Sequence, residues 1–173
     1  MKQQKENQMT TATATIATPR YTTTDLLRWI DTNSYYVGDL CYTMKEDWEE
    51  ICEIYDDRHV TDIYELFDGR VFKMVSTGGD GTFSGSNGVN YSVDSGTIGV
   101  IKVSDIPPGN WNDLLETVNA GIASVELLMG ADANEVAYFE NGRLNFGITD
   151  INLGNYWLED DDEGIDIEAE DAE

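Results

Sequence analysis

Apolar and polar positions along this chain change period as one moves along it, and the changes mark out its elements. Thr22, Thr23 and Thr24 offer caps ahead of residues 25–30, where Leu26, Leu27 and Ile30 make one apolar face of a short helix. Residues 35–42 read as a strand bent at Gly38. Residues 45–55 return to a helical period. Trp48, Ile51, Cys52 and Tyr55 fall on the inward side of that helix, and Glu46, Asp47, Glu49, Glu50 and Glu53 on the outer one, with only Lys45 to offset them. Residues 60–67 read as a further short helix ended by Asp68-Gly69. From Val71 the period becomes two. Val71, Lys73 and Val75 alternate with Phe72, Met74 and Ser76, and Gly78-Gly79-Asp80-Gly81 follows as a turn.

Residues 82–86 and 89–93 flank Asn87-Gly88, the signature of a tight hairpin turn, and Ser95-Gly96 bends the chain into residues 97–103. Pro107-Pro108-Gly109 ends this run. Asn110 caps a helix whose Trp111, Leu114, Leu115 and Val118 share a face, with Asp113 near its N-terminus and Gly121 as its stop. Residues 123–129 fit both periods; the alternation of Val125, Leu127 and Met129 makes strand the preferred reading. Residues 136–140 and 143–149 flank Asn141-Gly142 as a last hairpin. The expected fold is α+β, an antiparallel meander of about six or seven strands with three or four short helices packed on it. It occupies residues 21–158, between a polar leader at 1–20 and an acidic tail at 159–173 that are both expected to be disordered.

Charge changes the picture more than length does. The 173 residues carry 34 acids against 10 bases, a net charge of -24. Residues 159–173 hold ten acids and no base, yet residues 21–158 still hold 23 acids against seven bases, so the expected folded part is itself acidic. Such a surface repels nucleic acid and anionic lipid and attracts basic proteins. No apolar run approaches the roughly 18 to 20 residues that span a bilayer, and the leader lacks the apolar segment of a signal peptide, which points to the cytoplasm.

The chemistry on offer is sparse. Cys41 and Cys52 are expected to be buried thiols, and His59, the single histidine, sits in a charged stretch, so zinc sites and histidine-assisted nucleophiles lack residues. No cofactor is implied: Gly78–Gly81 has no P-loop lysine, and residues 160–168 lack the spacing of an EF-hand. Asp39, Asp80 and Asp94 each stand beside a glycine at a strand end. Carboxylates so placed hydrogen-bond the backbone of turns; brought together, the same three would ligate a small molecule or a hard cation. Trp29, Trp48 and Trp111 read as core residues, whereas Trp157, beside Tyr156 and just before the acids, is placed to reach a partner.

Tyr36-Val37-Gly38-Asp39-Leu40-Cys41-Tyr42, Gly79-Asp80-Gly81-Thr82-Phe83 and Val93-Asp94-Ser95-Gly96-Thr97-Ile98-Gly99-Val100 resemble, in this order, an uncharacterised family of small phage and bacterial proteins. The resemblance covers about residues 35–149, with Leu40 where proline is common. It implies a phage or bacterial origin and a β-rich domain, and no activity.

The function expected is therefore not enzymatic. It is that of a phage-type, DNA-mimic-like inhibitor that binds a basic, nucleic-acid-binding host protein, a defence nuclease or a polymerase, in the host cytoplasm. Its contact residues would be Glu46, Asp47, Glu49, Glu50 and Glu53, with Trp157, Glu159, Asp160, Asp161 and Asp162 from the tail. Neither nucleic acid nor membrane is an expected direct partner; a second copy of the chain is compatible. The alternatives are a small-ligand or metal-sequestering domain centred on the three aspartates, or a phage structural or assembly protein.

Overall fold

A computed structural model describes residues 20–55, 63–127, 137–140, 142–147 and 149–153. Helix α1, Thr23–Asp31, starts at Thr22, whose N–H and hydroxyl both donate to the Asp25 carboxylate at 2.9 and 3.0 Å. Leu26 is the residue this helix buries. Leu27, expected beside it, is 52% exposed, because one residue turns the helix by about 100° and the apolar face is narrower than three positions. Strand β1, Ser34–Gly38, gives way to a 3₁₀ turn at Leu40–Tyr42, so the strand expected to reach Tyr42 ends at its glycine. Helix α2, Trp48–Ile54, is three residues shorter at its start than the periodicity predicts.

The short helix expected at residues 60–67 is a correction. Its described part is extended, with strand β2 at Tyr64–Glu65. Tyr64 pairs across to Phe72 on β3, Val71–Ser76, with ring centroids 5.4 Å apart, and meets Tyr55 edge-on. That aromatic pairing outweighs a weak local helical preference. Strands β4 (Gly81–Ser84) and β5 (Asn90–Val93) form the Asn-Gly hairpin, with Gly88 at φ +82°, and β6 is Thr97–Lys102. Helix α3, Trp111–Asn119, stops at Gly121 with φ +73°. Strand β7, Ser124–Leu127, is extended as preferred. The last hairpin is β8 (Ala137–Glu140) and β9 (Arg143–Phe146); Gly147 at φ +55° then turns the chain into a further strand, β10 (Thr149–Asn152).

All pairings are antiparallel and the class is α+β, as expected. The order of the central strands is not a consecutive meander. The five-stranded sheet runs β2-β3-β6-β1-β7, while the separate hairpin β4–β5 and the sheet β10-β9-β8 keep consecutive order. The burial of β3 and β6 gives the reason: nearly every residue in both is inside, so both faces of the sheet need cover. Tyr36, Phe72, Met74 and Ile101 face Leu26, Ile51 and Leu114 of the helices. Tyr35, Val37, Val75, Ile98 and Val100 face Tyr91 and Val93 of the hairpin and Leu144, Phe146 and Ile151 of the last strands. The sheet is thus the middle of three layers, a larger burial than a solvent-faced meander allows.

Candidate functional site

Among the described residues, three places where polar side chains cluster bear on function, and the first is the acidic face of α2. Ile51 is fully buried and Trp48 and Ile54 pack around the same core, which turns Glu49 and Glu53 to solvent, with Glu46 exposed just before the helix. The five acids expected on this face do not act alike. Asp47 pairs with Arg70 Nη1 at 2.9 Å, largely out of solvent; the same Nη1 donates to the Asp105 carbonyl at 2.9 Å, and Arg70 Nε donates to Asp68 at 2.7 Å. Glu50 accepts the backbone N–H of Phe67, a side chain that is itself 83% exposed. Lys45, expected to offset the face, instead reaches Asp113 on α3 at 2.6 Å. Glu46, Glu49 and Glu53 remain exposed, Glu46 with its carboxylate lying over Gly109. A depression of about 330 Å³ opens beside Glu46, bounded also by Asp47, Arg70, Asp105, Pro107 and Pro108. Trp157, Glu159, Asp160, Asp161 and Asp162 lie outside the described residues, as does His59.

The second place is built around Asp39, which is fully buried. Its Oδ1 accepts from the Cys41 N–H at 3.0 Å and the Ser95 hydroxyl at 2.7 Å, and its Oδ2 from the N–H groups of Asp94 and Ser95 at 2.8 Å each. Those donors saturate the carboxylate and lock the end of β1 to the turn between β5 and β6. Asp80 and Asp94 are exposed. The turns that carry them touch: Gly79 Cα lies 3.7 Å from where a Cβ on Gly96 would stand. Burial, a hydrogen bond to Asp39 and the fields of Asp39, Asp94 and Asp80 together push the Cys41 thiol well above its usual range. Burial and a hydrogen bond to Asp94 push the Tyr42 hydroxyl up to about 12. The three aspartates therefore share one neighbourhood, but Asp39 spends its oxygens on N–H and O–H donors. Among the described residues no group of three or more His, Cys, Asp or Glu is placed to hold a metal ion.

Neither cysteine is a buried thiol. Cys41 is half-buried, and Cys52, expected on the inward side of α2, is exposed, because Ile51 occupies the centre of the buried face and its neighbour turns away.

A third place carries no sequence signal, since its walls come from four separated segments. The Asn87-Gly88 turn, the end of α3, β7 and the chain at Arg20-Tyr21 enclose a cleft of about 190 Å³. Asn87 Nδ2 donates to the Tyr91 hydroxyl at 2.9 Å and to Glu126 Oε1 at 3.1 Å, and the Tyr91 and Ser124 hydroxyls are 2.8 Å apart. Asn87 reads in sequence only as a hairpin residue; its second role needs the packing of β5 against β7.

No protein-family model matches the chain, and no curated protein or solved structure matches it. Among the described residues, no helix is long and apolar enough to cross a membrane.

Proposed function

We propose that this protein is a phage-type acidic inhibitor that occupies the nucleic-acid-binding groove of a basic host protein. The observation that carries the reading is how the fold spends its cations. Arg28 closes onto Asp25, Lys45 onto Asp113, Arg70 onto Asp47 and Asp68, and Arg143 onto Asp150. Glu46, Glu49 and Glu53 are left outward on and beside a helix anchored by Ile51. A net charge of -24, with these four bases already paired to acids, gives an anionic field that steers a basic partner. Carboxylates on a rigid helix then replace phosphates in a groove built for them, and release of the condensed counterions adds to affinity. The depression beside Glu46, walled by Pro107 and Pro108, offers room for a lysine or arginine stem of the partner.

The test is capture of a basic protein from bacterial lysate, followed by affinity measured between about 50 and about 500 mM salt with DNA as competitor. Affinity should fall steeply with salt, DNA should compete, and the triple change of Glu46, Glu49 and Glu53 to Gln should weaken binding about tenfold or more. Affinity that ignores both salt and DNA would sink the reading.

A further inference from the structure

We propose that the cleft between the Asn87-Gly88 turn, the C-terminal end of α3 and β7 binds a small zwitterion, an ammonium and a carboxylate on one apolar body of free amino-acid size. This inference is independent of the inhibitory reading and uses residues on another part of the molecule.

Its walls are apolar where a body would rest and charged at two points of opposite sign. Val89, Val118, Ala123 and Val125 supply the apolar lining, and Glu126 and Arg20 the charges. Glu126 is oriented. Its Oε1 accepts from Asn87 Nδ2, whose amide also donates to Tyr91, and Tyr91 is joined in turn to Ser124, only 6% exposed. This relay fixes one carboxylate oxygen and leaves Oε2 to receive an ammonium. Asn87 is itself held, because its Oδ1 accepts the Val89 N–H at 3.1 Å.

Arg20 supplies the other pole. Its guanidinium lies 5.1 Å from the Tyr21 ring centroid and makes no ion pair among the described residues, in a chain where acids outnumber bases 34 to 10. Tyr21 is tied down in turn: its N–H donates to Asn119 Oδ1 at 2.7 Å, and Asn119 Nδ2 donates to its carbonyl at 2.9 Å. An arginine resting on a fixed ring rather than on a carboxylate is available to an incoming anion. The volume, about 190 Å³, sets the class of ligand. It lies below the roughly 300 Å³ at which drug-sized sites begin, which excludes nucleotides and admits an amino acid. Two preset charges of opposite sign also select for a ligand bearing both, since a singly charged one leaves a partner unmatched in a half-enclosed site.

The experiment uses the full chain and a panel of free L-amino acids, followed by calorimetry and amide NMR. L-leucine is accompanied by 4-methylpentanoate, which lacks the ammonium, and isoamylamine, which lacks the carboxylate. At least one aliphatic or aromatic amino acid should bind and shift the amides of Asn87, Gly121 and Ser124, and the matched analogue lacking either charge should bind about tenfold more weakly, a loss of about 1.4 kcal/mol. Glu126→Gln and Arg20→Gln should each reproduce that loss, while both keep the circular dichroism of the parent. Arg20→Lys should recover part of the affinity. No binding by any member of the panel at about 10 mM, or binding that both variants leave unchanged, overturns the proposal. Salt-dependent capture of a basic protein would be unaffected by either of those failures, so the two readings fall separately.

Discussion

Asp39 shows how much one carboxylate can hold when it is buried and saturated. Replacing it with Ala removes the acceptor of the partly buried N–H groups of Cys41, Asp94 and Ser95, and the expected loss is about 2–3 kcal/mol, read as a lower urea midpoint at constant slope. Asp39→Asn keeps one acceptor oxygen and should lose clearly less. A loss under about 1 kcal/mol for the alanine variant would mean that the two turns are joined by something else. The cysteines give a second check at this scale. Cys52 is exposed and its thiol is raised only by partial desolvation, whereas Cys41 is half-buried and also opposed by Asp39, Asp94 and Asp80, so Ellman's reagent near pH 8 should label Cys52 first and Cys41 in a slower phase. Asp94→Asn should quicken the slow phase only. The sequence shows these aspartates as turn residues beside glycines. It does not show that the donors to Asp39 stand 55 and 56 positions away, because no local pattern encodes that approach.

At the scale of elements, what is legible is what is local. Helices α1 and α3, strands β3 and β6 and the Asn87-Gly88 hairpin follow from periodicity, caps and turn chemistry. Strand β2 and the order β2-β3-β6-β1-β7 do not, since they depend on the stacking of Tyr64 on Phe72 and on β6 lying between β3 and β1. Gly99 in β6 marks such a nonlocal fit. A Cβ there would stand 2.5 Å from Leu40 Cγ and 3.0 Å from the Lys73 carbonyl oxygen. Gly99→Ala should therefore cost about 1–3 kcal/mol through overpacking. Combined with Leu40→Ala, which opens the same space, it should cost less than the sum of the single changes in a thermal or urea unfolding cycle. Simple additivity would show that the two positions do not share that space.

For the whole molecule, pH and salt act on the same charge through different terms. Burial is the first cause holding the hydroxyls of Tyr36, Tyr42 and Tyr91 above the ordinary tyrosine value of 10.0. Folded values above unfolded ones mean that their contribution is fully present below about pH 10 and is lost as pH rises through the folded values, about 12 for Tyr42. Urea midpoints should therefore fall at the alkaline end. The carboxyls of Asp25 and Asp68 are held below 3.8 by backbone hydrogen bonds, so their contribution is present above that value and is lost as pH falls through the folded ones.

Salt separates collective repulsion from local ion pairs. At a charge of -24 the folded chain repels itself, and raising ionic strength from about 10 to about 150 mM shortens the screening length from about 30 to about 8 Å. Pairs such as Arg70–Asp47, at 2.9 Å and largely out of solvent, lie well inside either length and are little affected. The melting temperature should rise over this range, while capture of a basic partner through Glu46, Glu49 and Glu53 should weaken over the same range. One preparation, measured both ways, reports on both effects. A melting temperature that falls with salt would mean that the local ion pairs, rather than the excess of acids, dominate the electrostatics of the fold, and it would remove the physical basis for an outward anionic field.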